Sequence, residues 1–209
     1  TLSLPELISV GGNLEVRANG QLSELSLPAL ASVGGGLSVT NTTSLSNLTL
    51  PVLASVGGDF FLFDAPLTEI LVPVLSQIGG RLWFQDNDTL TALSMPDLVS
   101  LGELNLAANI ALSHLALPSL TRISENVRIV HNSSLPHCLV ESLINRVQSA
   151  SGIGRRVESG FTIGGCPGPH GDVVDCPVPA INRLGCTCTE VDGEIVSSCT
   201  DCLPITFDD

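Results

Sequence analysis

Residues 25–39 read L-S-L-P-A-L-A-S-V-G-G-G-L-S-V, and this stretch decides the fold. The same order of apolar residues, one proline and a glycine pair returns along the first two thirds of the chain. The prolines, spaced 22 or 23 residues apart, are Pro5, Pro28, Pro51, Pro73, Pro96 and Pro118. When the copies are aligned on the proline, seven columns stay apolar almost throughout, and such a period is typical of leucine-rich repeats. The sequence therefore predicts a solenoid of about six coils of 22–23 residues.

Each copy contains two short segments in which apolar and polar residues alternate, such as Leu2-Ser3-Leu4 and Leu14-Glu15-Val16. Alternation with a period of two is typical of strands that bury one face. No copy carries a helical apolar pattern long enough for a full helix. We therefore expect a mainly β fold in which two parallel sheets run along the solenoid.

Glycine pairs and asparagines recur between the segments. The glycine pairs are expected to be corners at which the backbone adopts positive φ, and they are Gly11-Gly12, Gly34-Gly35, Gly57-Gly58 and Gly79-Gly80. The asparagines follow the second segment, where an amide can satisfy backbone groups of the neighbouring coil. They are Asn19, Asn87, Asn109 and Asn132, with Asn41 one place early.

The pattern L-x-L-P-x-L-x-x-V-G-G-x-L-x-V-x-x-N over residues 1 to about 137 resembles the receptor L domain. That family comprises the leucine-rich, β-helix-like ligand-binding modules of insulin- and epidermal-growth-factor-type receptors, and related repeats occur in fungal and bacterial surface proteins. The resemblance implies a right-handed solenoid with an extracellular or cell-surface binding role, often followed by a cysteine-rich module. The repeats are more regular than those of the receptors, so hormone binding is not carried over.

After the sixth repeat the apolar residues are spaced as on one face of a helix, at Leu139, Leu143, Ile144 and Val147. The predicted helix starts near Ser134 or Pro136 and ends before Gly152. A solenoid needs a polar cover on its last coil, so we expect this helix to be a cap. The segment from Val157 to Ile163 would supply a last strand, which closes a first domain at residues 1–165.

Residues 166–209 are predicted to form a second, small module. They hold six of the seven cysteines and eight of the 21 acidic residues. Two closely spaced pairs, Cys186-x-Cys188 and Cys199-x-x-Cys202, suit zinc, but the single residue inside the first pair and a secreted context favour disulfides. The predicted disulfide residues are Cys138, Cys166, Cys176, Cys186, Cys188, Cys199 and Cys202. Cys138 and Cys166 would tie the cap, and the remaining connectivity is left open.

The charge and the motifs exclude several classes of function. There are 21 acidic and eight basic residues, all of the latter Arg, so the chain lacks the basic footprint that a nucleic-acid partner requires. No apolar run is long enough to insert this segment into a membrane. The four histidines are scattered and no G-x-S-x-G or H-E-x-x-H occurs, so we expect no enzyme, cofactor or metal. The first residues are already in repeat phase, so we expect a processed or trimmed segment.

The second strands carry two outward columns, and three of the chain's seven aromatic residues lie in them. Equivalent positions of neighbouring coils lie ~4.8 Å apart, so these rings are expected to form one patch. The columns read Glu15, Ser38, Phe61, Trp83, Asn105, Arg128 and Arg17, Thr40, Phe63, Gln85, Ala107, Val130. The predicted ligand-binding residues are Phe61, Phe63, Trp83, Gln85, Arg81, Asp59 and Arg128. The alternative is that a loop or the tail covers this patch as a satellite core.

The leading hypothesis is a secreted or cell-surface recognition module that binds a protein or carbohydrate on the outward face of its parallel sheet. The alternative is a structural cell-envelope or wall spacer without a specific ligand. An ice- or mineral-binding face is a further alternative, although Leu71 and Ala116 interrupt its Ser/Thr column. Four sequons match N-x-S/T and predict a glycoprotein if the chain follows a eukaryotic secretory path. They begin at Asn41, Asn47, Asn87 and Asn132.

Overall fold

The structure is a computed structural model that describes residues 1–150, apart from the side chain of Cys138, and the backbone of five later strands. Each of six coils contributes three strands. In chain order these are β1 (Leu2–Ser3), β2 (Ser9–Val10) and β3 (Leu14–Arg17) in coil 1; β4 (Glu24–Ser26), β5 (Ser32–Val33) and β6 (Leu37–Thr40) in coil 2; β7 (Asn47–Thr49), β8 (Ser55–Val56) and β9 (Phe60–Phe63) in coil 3; β10 (Glu69–Leu71), β11 (Gln77–Ile78) and β12 (Arg81–Gln85) in coil 4; β13 (Ala92–Ser94), β14 (Ser100–Leu101) and β15 (Glu103–Ala107) in coil 5; and β16 (His114–Ala116), β17 (Arg122–Ile123) and β18 (Val127–Val130) in coil 6. They are followed by α1 (His137–Ala150), β19 (Val157–Gly160), β20 (Cys166–Pro167), β21 (Val173–Val174), β22 (Thr187–Val191) and β23 (Glu194–Ser198).

The coils stack in parallel and form three faces. The first strands form sheet A, the second strands form the six-stranded sheet B, and the third strands form sheet C, which β19 extends to seven strands. The mainly β solenoid of about six coils is confirmed, but the prediction of two sheets was wrong. The strands of sheet B in the coils are two residues long, as in β2 and β5, which is too short to display an alternating pattern.

Sheet A is divided between β7 and β10 into two three-stranded pieces. The corner before β10, Asp64-Ala65-Pro66-Leu67, is one residue shorter than the corresponding corner of the next coil, residues 86–90. Sheet C continues across the same boundary, with Leu82 opposite Phe60. The short corner therefore shifts only the strand that follows it, and a cleft of about 370 Å³ lies at the break.

The inward side chains of the three sheets form one core. The apolar columns of the sequence fill it with Leu, Ile and Val, and Phe60 and Phe84 are wholly buried there. Their ring centroids are 5.2 Å apart with an interplanar angle of 79°, an edge-to-face pair. The core is therefore continuous across the coil boundary at which sheet A is broken.

Helix α1 follows the last coil and begins one residue after Pro136. Its side chains Val140, Leu143 and Val147 belong to the solenoid core. The guanidinium of Arg146 donates to the carbonyl oxygen of Leu117 at 2.6 Å. The predicted amphipathic helix is confirmed. No helix among the described residues is long and apolar enough to cross a membrane.

From coil 2 onward, the glycine corners are required by close approach to the coil before and not by backbone dihedrals. A Cβ on Gly34 would lie 2.5 Å from the carbonyl oxygen of Gly11, and a Cβ on Gly57 would overlap that of Gly34. No glycine within residues 1–150 has φ between +20° and +160°, so the predicted reason was wrong. Positive φ occurs instead just after each strand of sheet C in the coils, between 50° and 57°, at Ala18, Asn41, Asp64, Asp86, Ala108 and His131.

Ala18→Gly is expected to stabilise the chain. Alanine in the left-handed region costs about 1–2 kcal/mol that glycine does not incur, and Ala18 is exposed with φ of 54°. Allowing for the greater entropy of glycine when unfolded, we expect the free energy of unfolding in urea to rise by about 0.5–1 kcal/mol. Ala29→Gly is the control, because Ala29 has no positive φ. A gain in both variants, or in neither, would contradict this account.

A buried asparagine ladder connects coils 3 to 6. The Oδ1 atoms of Asn87, Asn109 and Asn132 accept from the backbone N–H of the equivalent residue one coil earlier, at 3.2, 3.2 and 3.0 Å. All three side chains are fully buried. The predicted structural role is thus confirmed for these coils. In coil 2 the ladder position is occupied by Thr42, whose buried hydroxyl has no hydrogen-bond partner, and not by Asn41.

Candidate functional site

Three aromatic side chains lie together on the outer face of sheet C. Strand alternation buries Phe60 and directs Phe61 and Phe63 outward, and Trp83 lies opposite Phe61 on the next coil. The rings of Phe61 and Phe63 are nearly parallel with centroids 6.3 Å apart. Trp83 meets Phe61 at 5.3 Å and an angle of 74°. All three are half-buried, and we call them the aromatic patch.

An ion pair borders the patch where β12 begins. The guanidinium of Arg81 donates to Asp59 Oδ2 at 2.7 and 3.1 Å, and its backbone N–H donates to Asp59 Oδ1 at 2.8 Å. Burial raises the pKa of Asp59, but the hydrogen bonds and charge of Arg81 outweigh it, so the pKa lies below that of an ordinary aspartate. The guanidinium also lies 4.8 Å from the centre of the Trp83 ring. The pair is therefore ionised at neutral pH and packs on the indole.

Gln85 fixes the other end of the indole. Trp83 Nε1 donates to Gln85 Oε1 at 3.1 Å, and Gln85 Nε2 donates to Asp86 Oδ2 at 3.0 Å. The tryptophan thus contacts a cation at its ring and an amide at its nitrogen. Because both partners are themselves held by carboxylates, the orientation of the ring is set before any ligand arrives.

A groove of about 560 Å³ lies beside the patch, above coil 2. Its floor is formed by coil 2, which presents Gly36 and Ser38 where the next coil presents Asp59 and Phe61. One wall comes from coil 1 and the other from coils 3 and 4. The residues of the walls are Asn13 and Glu15 on one side and Asp59, Phe61, Arg81 and Trp83 on the other. We call this the coil 2 groove, and it exists because coil 2 has the smallest residue of any coil at both floor positions, Gly36 and Ser38.

Four of the seven predicted ligand-binding residues line the groove: Asp59, Phe61, Arg81 and Trp83. Phe63 and Gln85 instead support Phe61 and Trp83 from the side away from it. Arg128 belongs to coil 6, two coils beyond Trp83, where it donates to Asn105 at 3.4 Å, so it lies outside the groove and its role in binding stays a prediction. On coils 5 and 6 the outward residues Asn105, Ala107 and Val130 are buried. Among the outward column residues of these two coils, only Arg128 is partly exposed.

The groove residues Asn13, Gly36 and Ser38 were missed by the sequence prediction. Their signal was present, because coil 2 alone has three consecutive glycines, Gly34-Gly35-Gly36, followed by a serine two positions later. The sequence prediction considered only large outward side chains. A groove is instead formed where the side chains are small, as at Gly36 and Ser38. Gly36 is further held by its N–H, which donates to Asn13 Oδ1 at 2.9 Å.

Two of the four predicted sequons lie inside the fold. Asn132 Nδ2 donates to the carbonyl oxygens of Leu106 and Val130 at 2.9 and 3.2 Å, and Asn87 is bonded in the same way. Both side chains are fully buried, so a glycan on either nitrogen would require the ladder to be dismantled. Asn47 is exposed and Asn41 is half-buried. The glycosylation prediction is therefore confined to these last two.

The side chains of the seven predicted disulfide cysteines lie outside the described residues, so their pairing stays a prediction. Within residues 1–150, excluding the side chain of Cys138, no three His, Cys, Asp or Glu side chains are grouped as metal ligands would be. The chain matches no protein-family model, no curated protein and no solved structure.

Proposed function

We propose that the chain is a secreted or cell-surface recognition module of receptor L-domain type, which binds a protein or carbohydrate ligand on the outer face of sheet C. The observation that carries this proposal is the aromatic patch at the wall of the coil 2 groove. Aromatic rings are efficient binding anchors because they bury a large area with few rotatable bonds. Here Trp83 is held by Arg81 and Gln85, so little ordering is left for the ligand to induce.

In this proposal the groove is a binding site and not a catalytic one. The carboxylate of Asp59 is engaged by Arg81 through three hydrogen bonds and stays ionised, so it is unsuited to act as a general acid near neutral pH. The other acidic residue of the walls, Glu15, belongs to coil 1 across the floor from this pair.

The same proposal gives the chain a right-handed solenoid, a cap and a second module. Helix α1 is assigned as the cap, because Val140, Leu143 and Val147 enter the core and Arg146 donates to carbonyls of Leu117 and Leu120 in coil 6. The first domain would then extend over residues 1–165. Residues 166–209 would form an acidic module closed by disulfides.

Phe61→Ala and Trp83→Ala are expected to weaken ligand binding by about 30-fold, the loss typical of a central anchor. The measurement uses the full chain on an array that carries both oligosaccharides and purified extracellular proteins. Because these rings are half-buried, the melting temperature is expected to fall less than in Phe60→Ala, which empties a core position. Leu71→Ala is the surface control, because this exposed leucine lies on sheet A.

Failure of the wild-type chain to bind either half of the array would contradict the proposal. It would favour the second candidate, a structural envelope or wall spacer, which the regular stacking of the coils also suits. Binding that survives both Phe61→Ala and Trp83→Ala would place the ligand on another face.

A further inference from the structure

The size of the accessible surface favours a small ligand. A stable protein interface covers about 800 Å² on each partner. On coils 5 and 6 of sheet C, however, three of the four outward column residues are buried, since Asn105, Ala107 and Val130 are 7%, 4% and 9% exposed. The groove itself measures about 560 Å³, which lies inside the range of small-molecule sites. A ligand of a few rings fits this space.

The charges of the walls favour a neutral ligand. Glu15 and Asp59 contribute two negative charges and Arg81 contributes one positive charge. The positive charge is already neutralised by Asp59 at 2.7 Å, so a phosphate or carboxylate would face an excess of negative charge. A cationic ligand would compete with the guanidinium of Arg81, which already lies at the ring of Trp83. The groove therefore disfavours an anion, and Arg81 already occupies the cation position at the ring of Trp83.

The polarity of the groove favours a ligand with one apolar face and a polar rim. Phe61 and Trp83 offer aromatic surface on one wall, whereas Asn13 and Glu15 offer an amide and a carboxylate on the other. A wholly apolar ligand would desolvate these polar groups without replacing their hydrogen bonds. A pyranose ring meets both walls, because its C–H face packs on aromatic rings and its hydroxyl groups both donate and accept.

We infer that the coil 2 groove binds a short neutral oligosaccharide. One sugar ring packs against Phe61 and Trp83, and its hydroxyl groups face Asn13, Glu15 and Ser38. This inference rests on the proposed function for its site and adds the chemical class of the ligand. The gap left by Gly36 and Ser38 is the space that the sugar occupies.

The single tryptophan makes the inference directly measurable. Trp83 is the only Trp of the chain and there is no Tyr, so selectively excited emission reports the groove wall. The full chain is titrated to millimolar concentrations with neutral cello-, xylo-, manno- and chito-oligosaccharides, and with acidic oligogalacturonate as the charge control. We expect a saturable change in emission with at least one neutral series and none with the acidic one.

Two matched variants locate the sugar. Ser38→Phe fills the floor of the groove and is expected to abolish the response, whereas Ser26→Phe makes the same substitution on sheet A and is expected to leave it unchanged. Phe61→Ala is expected to weaken the response at least tenfold. The melting temperature of each variant is measured beside the titration, so that loss of binding is separated from loss of the fold.

The outcomes separate this inference from the proposed function. If proteins on the array bind through Phe61 and no neutral sugar changes the Trp83 emission, the inference is overturned and the proposed function stands. If neither proteins nor sugars bind, both are overturned. Oligogalacturonate that binds as tightly as the neutral oligosaccharides, or more tightly, would refute the charge argument. A change in emission that persists in Ser38→Phe would show that the sugar binds outside the groove.

Discussion

Asn109→Ala is expected to lower the free energy of unfolding by about 4 kcal/mol, because two buried groups lose their hydrogen-bond partners at a cost of about 1–3 kcal/mol each. Asn109 Oδ1 accepts from the backbone N–H of Asn87 at 3.2 Å, and its Nδ2 donates to the carbonyl oxygen of Phe84 at 3.0 Å. The side chain is fully buried, so water cannot replace either bond without opening the corner.

Asn19→Ala is the matched control for the ladder. Asn19 occupies the same position in coil 1, but it is exposed and its amide donates only to the carbonyl oxygen of Arg17 in its own coil. Asn19→Ala is expected to change the free energy of unfolding by less than about 0.5 kcal/mol. Equal losses for the two asparagines in urea denaturation would show that the column matters for the local turn and not for the connection between coils.

Gly57→Ala is expected to cost about 3 kcal/mol, at the upper end for overpacking. A Cβ at this corner would overlap the carbonyl oxygen of Gly34 in the coil before. That oxygen belongs to the backbone and cannot rotate away, so coils 2 and 3 must separate locally. The separation would also weaken the backbone hydrogen bond from the Gly57 N–H to the carbonyl oxygen of Val33.

Gly11→Ala tests whether the cost comes from this approach. Gly11 is the equivalent corner of coil 1, and a Cβ there meets nothing within 4 Å. We expect its stability to stay within about 0.5 kcal/mol of the wild type. A large loss in Gly11→Ala would mean that the corner requires glycine for its conformation, as the sequence had suggested.

Both measurements need a check on cooperativity, because a stack of repeats can unfold in parts. Far-ultraviolet circular dichroism follows all three sheets, and Trp83 emission follows coil 4. If the two signals report the same unfolding transition, a single free energy of unfolding describes the chain. Transitions that separate would assign each loss to the coils that contain the substitution.

Much of the site follows from repeat phase alone. Once the period is known, Phe61 and Trp83 must lie on neighbouring strands, and the structure pairs them directly. The same reasoning correctly places Asp59 beside Arg81. It does not reveal that Asn105, Ala107 and Val130 are buried on coils 5 and 6, because a column shows which residues share a face but not which part of that face other residues bury.

The sequence by itself determined the stack of six coils, the inward columns and the outward aromatic patch, since a repeat of 22 or 23 residues places equivalent side chains one above another. Only the tertiary structure decided the third face, the break in sheet A and the reason for the glycine corners. It also decided where the groove lies, because a groove is made by the absence of side chains at Gly36 and Ser38 between taller neighbours. The depth of the groove depends on how far the side chains of neighbouring coils project relative to one another. A column of the sequence gives only the identity of one residue in each coil.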